Sequence, residues 1–236
     1  MLMLADYRFD LRVGYSVPLV TRDTSETWVR PFVGQILRIR EDVREEPAGQ
    51  ITGWLVPLSG DPEAIDPFVA AEAQGQKCAR LVRAVVDPVT NDLRDDLELQ
   101  GPGEGVLCLA EVSLLPEFRG YNLDRAAVWH ALRWLGHGWR VAVAELASLS
   151  EPLGEEGIET SQARDEALAE EQEELAGYWG QLGFRPVPGS SIHTYLDLSQ
   201  LTSEPVLPCQ CTTELLITHS VPWFTVRRGQ RRGRRI

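Results

Sequence analysis

The chain reads as an α/β protein: a mixed central sheet flanked by helices. Three observations predict this. Short stretches of alternating apolar and polar side chains fill the first sixty residues. A nearly continuous apolar run, Val106 to Leu114, is followed by a helical repeat and a second apolar run. A strand pattern returns after a long helical stretch, at Ile192 to Leu198.

Taken in order, Tyr7–Tyr15, Val33–Ile39 and Gln50–Leu58 each alternate as half-buried strands do. Pro47-Ala48-Gly49 separates the last two and reads as a hairpin turn. From Pro62 to Val86 the period changes. Ile65, Phe68, Val69, Ala73, Cys78, Leu81, Val82 and Val85 suit one or two short helices, broken at Gly75. Asn91–Leu99 is a helical turn or a loop, and Gly101-Pro102-Gly103 closes it.

Val106–Leu114 is apolar apart from Glu111 and Ser113, the pattern of a strand covered on both faces. After the loop Pro116–Gly120, residues Leu123, Ala127, Val128, Ala131, Leu132 and Leu135 recur at helical spacing up to Gly136. Arg140–Leu146 is a second buried strand. Strand, loop, helix and strand make a βαβ unit with parallel strands. A glutamate- and glycine-bearing connector, Ser148–Glu159, leads into a helix at Thr160–Leu182, rich in carboxylates and ended by Gly183. Beyond Leu201 there is one more candidate strand, Leu215–Val226, and then the basic run Arg227–Ile236.

The bulk numbers bound the function. A chain of 236 residues buries a core without disulfides. Its net charge of -12 repels nucleic-acid phosphates and anionic membranes and favours amines or basic peptides. Met1–Asp10 has no basic segment leading into an apolar one, and no run approaches the roughly 18 apolar residues of a membrane helix. The expectation is a cytoplasmic protein without a membrane partner. Its four cysteines, Cys78, Cys108, Cys209 and Cys211, are then reduced thiols.

Two segments carry a resemblance. In Leu109–Leu132 a strand is followed by Pro116-Glu117-Phe118-Arg119-Gly120 and then by a helix. The second is Tyr178-Trp179-Gly180-Gln181-Leu182-Gly183-Phe184-Arg185-Pro186-Val187, followed by a strand, with Val141–Leu146 lying between the two. In this order and spacing they resemble the GNAT N-acetyltransferase superfamily over about Val106–Leu198. The family writes the first motif as Arg/Gln-x-x-Gly-x-Gly/Ala opening a helix, and the second as tyrosine, three residues, Gly-Phe. The resemblance implies a GNAT-like domain at 1–200; beyond it the sequence reads as an extension at 201–226, supplying an extra strand or a homodimer contact, and a basic, disordered tail at 227–236. The N-terminal part is atypical. The family places two helices between its first and second strands, whereas here the helical stretch falls between the third strand and Val106.

The resemblance further implies acetyl-CoA or another acyl-CoA as co-substrate, with no metal. A helix N-terminus offers unpaired N–H groups and partial positive charge, which suits a diphosphate. Leu114, Arg119, Gly120, Tyr121, Asn122, Leu123, Asp124 and Arg125 would hold it. The pantetheine arm would pair with the edge of the preceding strand, as in strand addition. Glu145, set among apolar residues, would take the proton from the amine, with Glu111 as the other carboxylate in that role and Tyr178 as a further catalytic candidate.

The chain departs from the pattern at three places. Its two positions for small residues are Asn122 and Asp124. Asparagine tolerates positive φ. A carboxylate near a diphosphate, however, is repelled by about 4 kcal/mol per charge pair at 4 Å with an effective dielectric near 20. Either Arg119 or Arg125 offsets this, or Asn122 or Asp124 caps the helix itself and no ligand is needed. The family's tyrosine position, counted back from Gly183-Phe184, is Trp179, whose indole cannot protonate a thiolate. Tyr178 lies about 100° away around the helix, and core packing is the alternative for both aromatics.

The remaining candidates are weaker. His130 and His137 suit surface or core positions, and His193 starts a strand that walls the substrate site in the family. Cys209-x-Cys211 with His219 lacks the spacing and the fourth partner of a zinc site. The arginines Arg227, Arg228, Arg231, Arg232, Arg234 and Arg235 could grip nucleic acid only against the charge of the body. Three functions follow in order: an acyl-CoA-dependent N-acyltransferase acting on a small or peptidic amine, a catalytically silent GNAT-like binding domain, and a tail-driven nucleic-acid adaptor.

Overall fold

The computed structural model describes residues 7–13 (backbone only), 29–39, 45–58, 66–100, 102–103, 105–120, 122–146 and 172–201. The expected strand at Leu215–Val226, the arginine tail, the connector at Ser148–Glu159 and Tyr121 lie outside the described residues.

Among the described residues seven strands form one sheet: β1 (Tyr7–Val13), β2 (Arg30–Ile39), β3 (Glu45–Val56), β4 (Val106–Leu114), β5 (Val141–Glu145), β6 (Arg185–Pro186) and β7 (His193–Asp197). Their spatial order is β1-β2-β3-β4-β5-β7-β6. Only β4 and β5 run parallel; every other neighbouring pair is antiparallel. The parallel pair is joined by α3 (Leu123–Leu135), as the βαβ pattern predicts. Two further helices, α1 (Pro67–Ala73) and α2 (Gln76–Val85), lie between β3 and β4 and are separated at Gly75. A fourth helix, α4, spans residues 172–180 and ends just before Gly183, whose φ is +93°. The result is the expected mixed α/β sheet with helices on both faces.

The faces carry separate apolar layers. On one, Leu107, Leu109, Ala142, Ala144 and Leu196 of the sheet pack with Val128, Leu132 and Trp179 of α3 and α4. On the other, Val56, Val106, Cys108, Val141, Val143 and Tyr195 pack with Leu81, Val82 and Val85 of α2. The period-2 alternation of strands produces this division. Trp179 is fully buried, edge-on to Phe184, so it packs in the core.

Two irregularities shape the sheet. Pro47-Ala48-Gly49 is not the hairpin turn its composition suggests. It lies inside β3, where Leu37 faces Pro47 and Ile36 faces Gly49, leaving Ala48 as the extra residue of a bulge. A bulge tolerates proline where a regular central strand does not. The second bulge is in β4. Thr52 faces Glu111 and Gly53 faces Leu109, so Ala110 is the extra residue. The bulge shifts the side-chain phase. Leu107 and Leu109 before it and Val112 and Leu114 after it reach the same core layer, which an unbroken strand could not achieve. Gly53 permits the close approach: a Cβ there would lie 2.1 Å from the Cys108 carbonyl oxygen and 2.5 Å from the Phe32 ring.

Candidate active site

The β4 bulge opens the sheet. β5 pairs with β4 only from Val106 opposite Val141 to Leu109 opposite Ala144. β4 then continues to Leu114, so residues 110–114 have no β5 partner. Their backbone edge on that side is free for strand-like pairing among the described residues.

The loop after β4 is pinned at several points. The Leu115 N–H donates to the carbonyl of the bulged Ala48 at 2.9 Å. Phe118 is buried, and Arg119 Nε donates to the Leu114 carbonyl at 3.3 Å. Gly120 has φ +80° with nothing within 4 Å of where a Cβ would stand. Asn122, at φ 58° and ψ 25°, then turns the chain into α3 in the left-handed conformation that asparagine tolerates. Its side chain makes no capping bond to the helix.

The side chains at this helix start form a polar cluster. Arg125 is buried and donates to Asn122 Oδ1 at 2.6 Å and to Gln181 Oε1. Its guanidinium carbon lies 4.2 Å from the centroid of the Tyr178 ring. The Tyr178 hydroxyl donates to Asp124 Oδ1 at 2.7 Å, and that oxygen also accepts the Arg125 N–H at 2.9 Å. Burial first, and then the Asp124 charge, push the Tyr178 phenol far above its ordinary value, so it stays protonated. Leu123 packs into the core. The backbone of this turn suits a diphosphate. Against it stands the Asp124 carboxylate in the first turn, with Arg125 committed to Asn122, Gln181 and Tyr178.

A second cluster lies on the other face, at the end of β5. Glu145 pairs with His193 across β5 and β7. Arg80, on α2, donates from Nε to Glu145 Oε1 at 2.8 Å. His193 Nδ1 lies 2.8 Å from Ser190 Oγ, and its Nε2 lies 3.8 Å from Glu145 Oε1. Burial pushes the Glu145 carboxyl up, but Arg80 outweighs it, with help from His193 and Lys77, and leaves the pKa lowered. His193 is also lowered, by burial first and by Arg80, against the pull of Glu145.

Glu111 sits just past the bulge and is exposed. Its neighbours on that face are polar: Gln35 faces Gln50, and Gln50 faces Ser113, in one row across three strands. This row lines a cavity of about 240 Å³ together with Pro47, Gly49, Leu114 and Leu115.

The structure thus gathers Asn122, Asp124, Arg125 and Tyr178 at one place, and Glu145 with His193 at another. Arg80, Ser190 and Gln181 were not legible as site residues. Arg80 is 65 residues from Glu145 and Gln181 is 56 from Arg125, and no local spacing links such pairs. Cys78 and Cys108 are free thiols buried between α2 and β4. Among the described residues no group of three or more histidine, cysteine or acidic side chains is placed to hold a metal, and no helix is long and apolar enough to cross a membrane.

Fold and loop together define a mixed α/β sheet whose parallel pair opens past Leu109. No protein-family profile matches the sequence, and no curated protein matches it. Among solved structures, a mutant of the AtaT toxin bound to the C-terminus of the antitoxin AtaR and acetyl-CoA is similar at 12% identity, with a TM-score of 0.35 over 73% of this chain and 70% of that one.

Proposed function

We propose that the chain is an acyl-CoA-dependent N-acyltransferase, moving an acetyl group to a small-molecule or peptidic amine by direct attack. The observation that carries this reading is the β4 edge past Ala110, which loses β5 after Leu109 and leads through a pinned loop into the start of α3. An extended pantetheine arm would pair with residues 110–114 as an added strand. The turn at Gly120 and Asn122, with Arg119 alongside, would receive the diphosphate. Backbone N–H groups at the bulge would stabilise the oxyanion. Calorimetric titration with acetyl-CoA and with free coenzyme A tests this. Micromolar binding is the expected result, and no heat from folded protein at high ligand concentration would sink it.

One observation favours a second reading, a catalytically silent binding domain. Asp124, Tyr178, Arg125 and Asn122 bond to one another at the helix start, and Trp179 stands in the core where the family has its tyrosine. In that reading the diphosphate is excluded by the charge of Asp124. Titrating coenzyme A into Asp124→Gly protein separates the two readings.

A further inference from the structure

The Glu145–His193 cluster contains a buried nitrogen, His193 Nε2, with no hydrogen bond among the described residues. The other ring nitrogen is held by Ser190 Oγ, whose oxygen also accepts the His193 backbone N–H at 3.2 Å. The ring is therefore fixed in place. In the tautomer that donates from Nδ1 to Ser190 Oγ, Nε2 carries a lone pair facing the carboxylate. Glu145 Oε1 already accepts from Arg80 Nε, and a donor reaching both that oxygen and Nε2, 3.8 Å apart, would give the ring nitrogen its hydrogen bond. A nitrogen about 2.9 Å from each would bridge that gap with ordinary hydrogen-bond geometry.

A cation already reaches this place. Arg80 approaches Glu145 Oε1 from α2, but its side chain is 49% exposed, so it can swing into solvent at small cost. The cluster lies at the mouth of the opened β4–β5 pair, since Ala144, next to Glu145, is the last residue paired with β4.

We propose that Glu145 Oε1 and His193 Nε2 form the ammonium-binding end of the acceptor site, with Arg80 covering it until a primary amine enters. This rests on the acyltransferase reading and adds the acceptor's recognition to it. Two N–H groups of the ammonium donate to the pair. His193 takes one proton, and the freed lone pair attacks the thioester carbonyl carbon. The C–N bond forms, the C–S bond breaks, the second proton goes to the thiolate, and His193 returns its own proton to water. Quaternary ammonium ions, which carry charge without N–H donors, do not fit.

The charged groups facing His193 are Glu145 from β5 and Arg80 from α2, with Lys77 acting on Glu145. The imidazole must be neutral to accept. Amine binding therefore falls as pH drops through the His193 titration, which lies below the ordinary 6.5.

The test is a histidine-ring ¹⁵N NMR titration of the full chain with n-butylammonium chloride, using tetramethylammonium chloride as the control. Saturable movement of the His193 Nε2 signal with butylammonium alone is expected. It should tighten several-fold in Arg80→Gln and weaken about tenfold or more in Glu145→Gln, as loss of a charged partner does. No movement in either wild type or Arg80→Gln, or equal movement with tetramethylammonium, would overturn the proposal. Acetyl-CoA calorimetry on the same samples separates the two ideas. Coenzyme binding without a butylammonium response sinks the ammonium site and spares the acyltransferase reading. The reverse pattern spares the site and sinks that reading.

Discussion

The two polar clusters make opposite use of buried charge. At the start of α3, the Tyr178 hydroxyl and the Arg125 amide meet on Asp124, and Arg125 is taken up by Asn122 and Gln181. Beside β5, Glu145 has Arg80, and His193 Nε2, 3.8 Å from Glu145 Oε1, makes no hydrogen bond among the described residues. The first network buries its cation, Arg125, although Nε makes no hydrogen bond among the described residues, and so holds one local conformation. The second leaves its cation, Arg80, 49% exposed and able to move into solvent. In the proposed transferase, Asp124 would meet the diphosphate and His193 Nε2 the amine.

The support under the first cluster is the place to break this contrast hardest. Trp179 precedes Gly180 and Gln181, follows Tyr178, and is fully buried. Trp179→Ala should cost about 3–5 kcal/mol, read as a lowered denaturation midpoint. The support under the second is the β4 bulge. Gly53→Ala drives a Cβ into the Cys108 carbonyl and the Phe32 ring, and should cost about 1–3 kcal/mol. Retained stability in that variant would mean that the bulge relaxes freely.

The next effects are smaller and more specific. Asp124→Gly removes the repelling carboxylate, so coenzyme A affinity measured by calorimetry should rise by about tenfold, or about 1.4 kcal/mol. An unchanged affinity would show that the charge is not the barrier. Tyr178→Phe leaves Asp124 short of one donor and should cost about 1 kcal/mol in chemical denaturation, without altering the pH profile near neutrality.

The smallest effect is the pH dependence of stability, and it sharpens the contrast most cleanly. His193 titrates lower in the fold than in the unfolded chain. Stability should therefore fall as pH drops from its ordinary 6.5 through the lowered folded value. Glu145 is also lowered, from 4.5. Its contribution is present above 4.5 and is lost as pH falls through its folded value. Thermal melts of wild type, His193→Gln and Glu145→Gln across this range should show the upper window vanish in the first variant and the lower in the second.

The sequence by itself determined what depends on neighbours along the chain. The apolar run at Val106–Leu114, the helical repeat from Leu123 to Leu135 and the second run at Arg140–Leu146 made the βαβ unit legible, because side-chain period is a local property. Gly75 and Gly183 marked helix breaks for the same reason, and Asn122 was readable as a residue able to turn left-handed. Pro47-Ala48-Gly49 misled, because turn composition is also bulge composition and only the partner strand distinguishes them. Only the tertiary structure decided that Ala110 is the extra residue of β4, since a bulge is defined by two strands rather than one. It likewise brought Arg80 to Glu145 and Tyr178 to Asp124, pairs separated by 65 and 54 residues. No period links such positions. Packing of α2 over one face of the sheet and α4 over the other sets those distances.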